Sequence, residues 1–145
     1  TSAQLLDLPK NRLYRERFMK KLAKKIIEKD RLFPNRLDLN KLKDVKVWKD
    51  FDDFFSAPVN GYRDANDFYE QGSAVNFLED VQVPVLICNA QNDPILNEDC
   101  APKALAEKHP HIYVETPQTG GHVGFLVKNA EFSWAERRAL EFVNQ

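Results

Sequence analysis

The sequence predicts an α/β fold: a helical segment, residues 1–80, followed by a β-α-β-α unit, residues 81–145, with two parallel strands. Three observations predict it. Val85–Cys88 is continuously apolar and too short for a helix, which marks a strand covered on both faces in a parallel sheet. Ile112-Tyr113-Val114 is a second such run, bounded by polar residues. Between them Pro102 suits the first turn of a helix running to about Lys108, and Pro110 ends it. A helical connection returns the chain to the same sheet end, so the strands run parallel, with a right-handed crossover. Ser133-x-x-Glu136 is a capping box that opens a last helix, with Leu140 and Val143 expected to face inward.

The elements before residue 80 follow from shorter signals. Leu13, Met19, Leu22 and Ile26 recur near helical spacing over residues 10–30, with Lys and Arg at many of the other positions. Asp30 to Pro34 ends that helix, because a residue before proline leaves the helical region. Asp38 is placed to cap a brief helix, Leu39 to Lys43. Val45, Val47, Phe51, Phe54 and Phe55 are apolar anchors, with Asp50, Asp52 and Asp53 between them. Those carboxylates lack calcium-loop spacing and read as helix N-terminal and surface charges. Ala57 to Gly61 reads as a turn. Asp64 starts a helix carrying Ala65, Phe68 and Tyr69, and Ser73 can cap another short helix, Ala74 to Leu78.

Composition excludes more than it assigns. The chain is 43% hydrophobic and 30% charged with a formal charge of −1, as in an ordinary globular protein. Lys10 to Lys49 is strongly basic, and the remainder offsets it. A solvated helix face is the preferred reading of Lys20-Lys21 and Lys24-Lys25. A phosphate or headgroup patch is the other, and nucleic acid is not expected. Cys88 and Cys100 form no metal or CxxC spacing and read as free thiols, consistent with a cytoplasmic location. Neither a membrane span nor a cofactor or metal motif is present, so no cofactor is expected.

The chemistry gathers at two turns. In open parallel sheets functional groups collect beyond the carboxyl ends of the strands. Asp93 follows the first strand there, and His122 follows the second, in Gly120-Gly121-His122-Val123-Gly124. A histidine used as general base needs one nitrogen free and the other held by a carboxylate. Each residue also has a plainer reading. Asn92-Asp93-Pro94 is a common turn in which Asp93 bonds nearby backbone N–H groups, and His122 alone is an ordinary loop histidine. The glycines around it suit a loop that folds back over the strand ends. His109 and His111, at a helix end, read as structural.

Asn89 to Pro94, Gly120-Gly121-His122-Val123-Gly124-Phe125, and Trp134 with Glu136 together resemble the end of the YheT-like branch of α/β-hydrolases. Phe51-Asp52-Asp53 through Ala57-Pro58, then Gly61-Tyr62, Asp64-Ala65 and Tyr69, resemble the segment before it. The resemblance implies a carboxylic-ester hydrolase with Asp93 as triad acid and His122 as triad base. It makes residues 1–80 a helical cap and the two strands the last of the hydrolase sheet. Its triad serine sits in a Gly-x-Ser-x-Gly elbow, and Ser2, Ser56, Ser73 and Ser133 are in no such elbow. The chain is therefore expected to be the C-terminal portion of a serine hydrolase acting on a small-molecule ester. Its nucleophile would lie in an N-terminal half, and alone it would be inactive and self-associating. The alternative is a non-catalytic binding or assembly module whose basic helix contacts an anionic partner.

Overall fold

The structure, a computed structural model, describes residues 2–144. It divides into two compact units that meet in sequence between Ser73 and Ala74.

The first unit is helical. A short helix α1, Ser2–Leu6, which no sequence signal announced, leads through a 3₁₀ turn at Pro9–Asn11 into α2, Arg12–Leu32. Asp7, just after α1, accepts from the backbone N–H of Trp48, at 3.0 and 3.1 Å. That bond fixes the start of α3, Trp48–Phe51. The helix then loosens into a π-turn, Asp52–Ser56, and tightens again as α4, Ala57–Val59. The turn expected over Ala57 to Gly61 is thus helical as far as Val59, and the reversal falls at Gly61, whose φ of 83° suits glycine. Asp38 does cap its segment, but Leu39–Asp44 is a 3₁₀ helix. Asp64 caps α5, Ala65–Gly72, by accepting from the Asp67 N–H.

Ile26, Phe51 and Phe55 form the centre of this unit, with Met19, Leu22, Leu37, Leu42 and Phe54 packed around them. Leu13 is not part of it and is 80% exposed. At 100° per residue it lies about half a turn from Leu22, on the opposite helix face. Asp52 also departs from expectation. It is buried and accepts from the Tyr69 hydroxyl. Burial and the Asp52 carboxylate together push the Tyr69 phenol far above its ordinary pKa. Phe55 has no exposed surface, so Phe55→Ala should destabilise the chain by about 3–5 kcal/mol. A urea midpoint moved by much less would show that the core relaxes around the lost ring.

The second unit is a two-stranded parallel sheet with its connecting helices. After a 3₁₀ segment, Ala74–Asp80, β1 spans Val85–Cys88 and pairs with β2, Ile112–Glu115, in the register Val85 to Ile112 and Cys88 to Glu115. Between them lie a 3₁₀ turn and α6, Lys103–Ala106. The mixed α/β class and the parallel pair are as the sequence predicts. All four residues of β1 are half-buried, however, not covered on both faces.

The last helix, α7, Trp134–Val143, opens on the capping box: Glu136 N–H donates to the Ser133 hydroxyl, and Ser133 N–H to the Glu136 carboxylate. Its inward side is set by Arg138, which bonds Glu115 at 2.8 Å, and by Phe142, whose ring lies 5.3 Å from that of Tyr113. Leu140 and Val143 lie on the other side and are 62% and 74% exposed, against expectation. They fall off the Arg138–Phe142 stripe, which is spaced i, i+4 along the helix.

Candidate active site

The site lies beyond the C-terminal ends of β1 and β2, where the backbone keeps two turns side by side. Asn89 N–H donates to Glu115 carbonyl and Gln91 N–H to Pro117 carbonyl, at 3.0 and 2.9 Å, which extends the pairing past both strands. Asn92 then locks the turns together. Its side-chain oxygen accepts from the N–H groups of Gly120 and Gly121, at 3.0 and 2.9 Å. Sequence reading passed over Asn92 as a turn residue. Its bonds span 28 and 29 positions, so no local pattern announces them.

Asp93 makes both kinds of contact, one on each oxygen. Oδ1 accepts from the backbone N–H groups of Ile95 and Leu96, at 2.7 and 2.9 Å. Oδ2 lies 3.0 Å from His122 Nδ1. The Asp93 side chain is 2% exposed and that of His122 is 39% exposed. Burial opposes ionisation of Asp93. The two backbone donors and His122 outweigh it, and the carboxyl is held below its usual range. An ionised Asp93 accepts a hydrogen bond from Nδ1–H, which leaves Nε2 as the free ring nitrogen. Nε2 has no hydrogen-bond partner among the described residues.

The histidine loop is held by packing and close approach. Phe125 is buried, donates its N–H to the Gly120 carbonyl at 2.9 Å, and stacks at 5.5 Å on Trp134. A Cβ at Gly120 would meet the Phe125 ring at 2.4 Å and the Ala90 methyl at 2.9 Å. Gly120 is therefore required for space, whereas Gly121, with φ of 59°, is suited by conformation. Val123 and Phe125 also adopt left-handed backbone, at φ of 56° and 45°, although neither is glycine. Each such residue costs about 1 kcal/mol or more and needs surrounding structure to hold it. Gly120→Ala should lower stability by about 1–3 kcal/mol and displace His122. A melting curve and a His122 NMR shift unchanged from the parent would show that Phe125 yields without moving the loop.

Other candidates fall elsewhere. His109 accepts at Nδ1 from the His111 N–H and lies 3.2 Å from the Glu79 carbonyl through Nε2, so it serves the fold as expected. Cys88 and Cys100 are free thiols. Burial pushes the Cys88 thiol up, with Glu115 beside it. Among the described residues no group of His, Cys, Asp and Glu is arranged to hold a metal ion, and no helix is long and apolar enough to cross a membrane.

The acid and the histidine lie joined beyond the carboxyl ends of two parallel strands, and the relatives of the chain say which class of protein it belongs to. The chain belongs to the α/β-hydrolase superfamily. It is 33% identical over 118 residues to YheT of Escherichia coli, a match that covers 80% of this chain and 34% of that protein, and its place is in the YheT-like branch. It is also 33% identical to medium-chain fatty acid ethyl ester synthase/esterase 2 of Saccharomyces cerevisiae, over 72% of this chain and 23% of that protein. Monoacylglycerol lipase ABHD2 of Homo sapiens is 29% identical over 74% of this chain and 27% of its own length. The matches thus span between 23% and 34% of these relatives. No family model and no solved structure matches.

Proposed function

We propose that the chain supplies the acid and the base of a Ser–Asp–His triad to a serine carboxylic-ester hydrolase. The observation that carries this reading is the 3.0 Å contact between His122 Nδ1 and the buried Asp93 carboxylate. Asp93 holds the proton on Nδ1, so Nε2 keeps its lone pair and can act as base. A serine hydroxyl adds to the ester carbonyl while Nε2 takes its proton. The tetrahedral intermediate collapses to an acyl-serine as Nε2–H protonates the departing alcohol. Water, deprotonated by Nε2 in turn, releases the carboxylic acid and restores the serine.

The serine is supplied from outside this chain. Ser133 is committed to capping α7, Ser2 and Ser56 lie in helical turns, and Ser73 ends α5. The names of the relatives, an ethyl ester synthase/esterase and a monoacylglycerol lipase, support a fatty acyl ester as the substrate class. We place the activity in the cytoplasm, where the free thiols Cys88 and Cys100 stay reduced. Assay of p-nitrophenyl esters tests the reading. The chain alone should be inert, and a longer product that includes a Gly-x-Ser-x-Gly elbow should turn over. An inert longer product would sink it.

The strand pairing suggests how the chain meets the rest of the enzyme. Val85 donates to the His111 carbonyl, just before β2, and Asn89 to Glu115 at its end, and by the alternation of a parallel ladder Leu86 and Cys88 turn their backbone groups the other way. That edge is the proposed joining face for the N-terminal half. In its absence copies of the chain should associate through it. Light scattering should give a mass that rises with concentration, and a strict monomer at high concentration would contradict this.

A further inference from the structure

Along α2 the exposed residues Arg17, Lys21, Lys25 and Lys29 recur every fourth position. Residues four apart are neighbours on a helix surface, so these cations form one ridge about 18 Å long. Like charges at that spacing oppose helix formation. Two of the acids on α2 are engaged elsewhere, Glu16 with Arg12 at 2.6 Å and Glu28 with Lys24 at 3.8 Å. Among the described residues no ion pair reaches the ridge.

The ridge leads to a recess. Its next position, Phe33, is 50% exposed and lines a cavity of about 380 Å³ with Lys29, Arg36, Leu37, Pro58 and Val59. The Arg36 guanidinium lies 5.9 Å from the centre of the Phe33 ring. Leu32, next to Phe33 in sequence, is 74% exposed. Two cations thus sit against apolar walls at the end of a row of cations.

We propose that this face of α2 docks the chain on the surface of an anionic phospholipid bilayer. The ridge takes headgroup phosphates. The recess takes one headgroup at Lys29 and Arg36 and the first part of its hydrocarbon against Phe33, Leu37, Pro58 and Val59. Phospholipid matches both halves of the surface. A polynucleotide would satisfy the cations and leave the apolar walls and Leu32 unmatched. Attraction of this kind falls with salt, because it acts within a Debye length of the charged surface. The inference is independent of the triad, since it uses none of the site's residues.

Sedimentation of the chain with lipid vesicles tests it. Vesicles of phosphatidylcholine with about a third phosphatidylserine should hold the chain at least about tenfold more strongly than phosphatidylcholine alone at low salt, and raised salt should weaken the binding. Replacing the ridge together (Arg17→Gln, Lys21→Gln, Lys25→Gln, Lys29→Gln) should remove at least about tenfold, with helical circular dichroism retained. Phe33→Ser should weaken binding while leaving its salt dependence in place. Equal binding to both vesicles, full binding by the ridge variant, no effect of Phe33→Ser, or preference for a single-stranded polynucleotide over the anionic vesicles would each overturn it.

Discussion

His122→Ala, made in a longer product that carries the serine elbow, should lower p-nitrophenyl ester turnover by about four to six orders of magnitude. The size of the loss follows from the histidine's position. Its Nδ1 is committed to Asp93 at 3.0 Å, and Nε2 is the proposed proton acceptor for the serine. Without the imidazole the serine hydroxyl keeps its proton near neutral pH, and the departing alcohol has no acid to protonate it. The fold should tolerate the change, because the His122 side chain is 39% exposed and the loop is anchored by Phe125 and Asn92 instead. Turnover should therefore collapse while the melting temperature barely moves. Turnover within tenfold of the parent would remove His122 from the triad.

Asp93→Asn should lower turnover by about 10⁴ and should also destabilise the chain. The catalytic loss comes from the tautomer. An amide that donates to Nδ1 places the ring proton on Nε2, where the base is needed. The structural loss comes from the other oxygen, which caps the N–H groups of Ile95 and Leu96. The pH dependence separates the two. The Asp93 carboxyl is held below its usual range, so its ionised form favours the folded state. That contribution is complete above the unfolded value of about 3.9 and is lost as pH falls through the lower folded value. The stability gap between parent and Asp93→Asn should be widest near neutral pH and should narrow below about pH 4. A gap independent of pH between neutral and strongly acid conditions would show that Asp93 acts through shape alone.

What was legible in the sequence was local. Val85–Cys88 and the Ile112–Val114 run were readable because each is a short apolar run with no competing period, and both are strands. The caps at Asp38, Asp64 and Ser133 act on N–H groups two or three residues away, so a short window contains both partners. The meeting of Asp93 and His122 was inferable because sheet topology brings both strand ends to one place.

What escaped depends on distant partners. Asp7 reaches Trp48 across 41 residues, and nothing near Asp7 marks it as an anchor. Asp52 looked like one surface charge among three, and only the Tyr69 hydroxyl from α5 explains its burial. Gly120 suits a folded-back loop by its backbone freedom, yet it is required because Phe125 and Ala90 leave no room for a methyl group. Leu140 and Val143 are apolar and fit an inward stripe, but the sheet instead receives Arg138 and Phe142, fixed by Glu115 and Tyr113. In each case the deciding neighbour arrives through tertiary packing and not through the local pattern.

Labelling by a fluorophosphonate probe tests most directly whether Asp93 and His122 complete a serine nucleophile. The longer product should react rapidly at one serine, in the elbow. His122→Ala and Asp93→Asn should each slow that reaction by orders of magnitude, and the chain alone should take no label. Labelling of the His122→Ala product at the parent's rate, or of the chain alone at any of its own serines, would contradict the assignment.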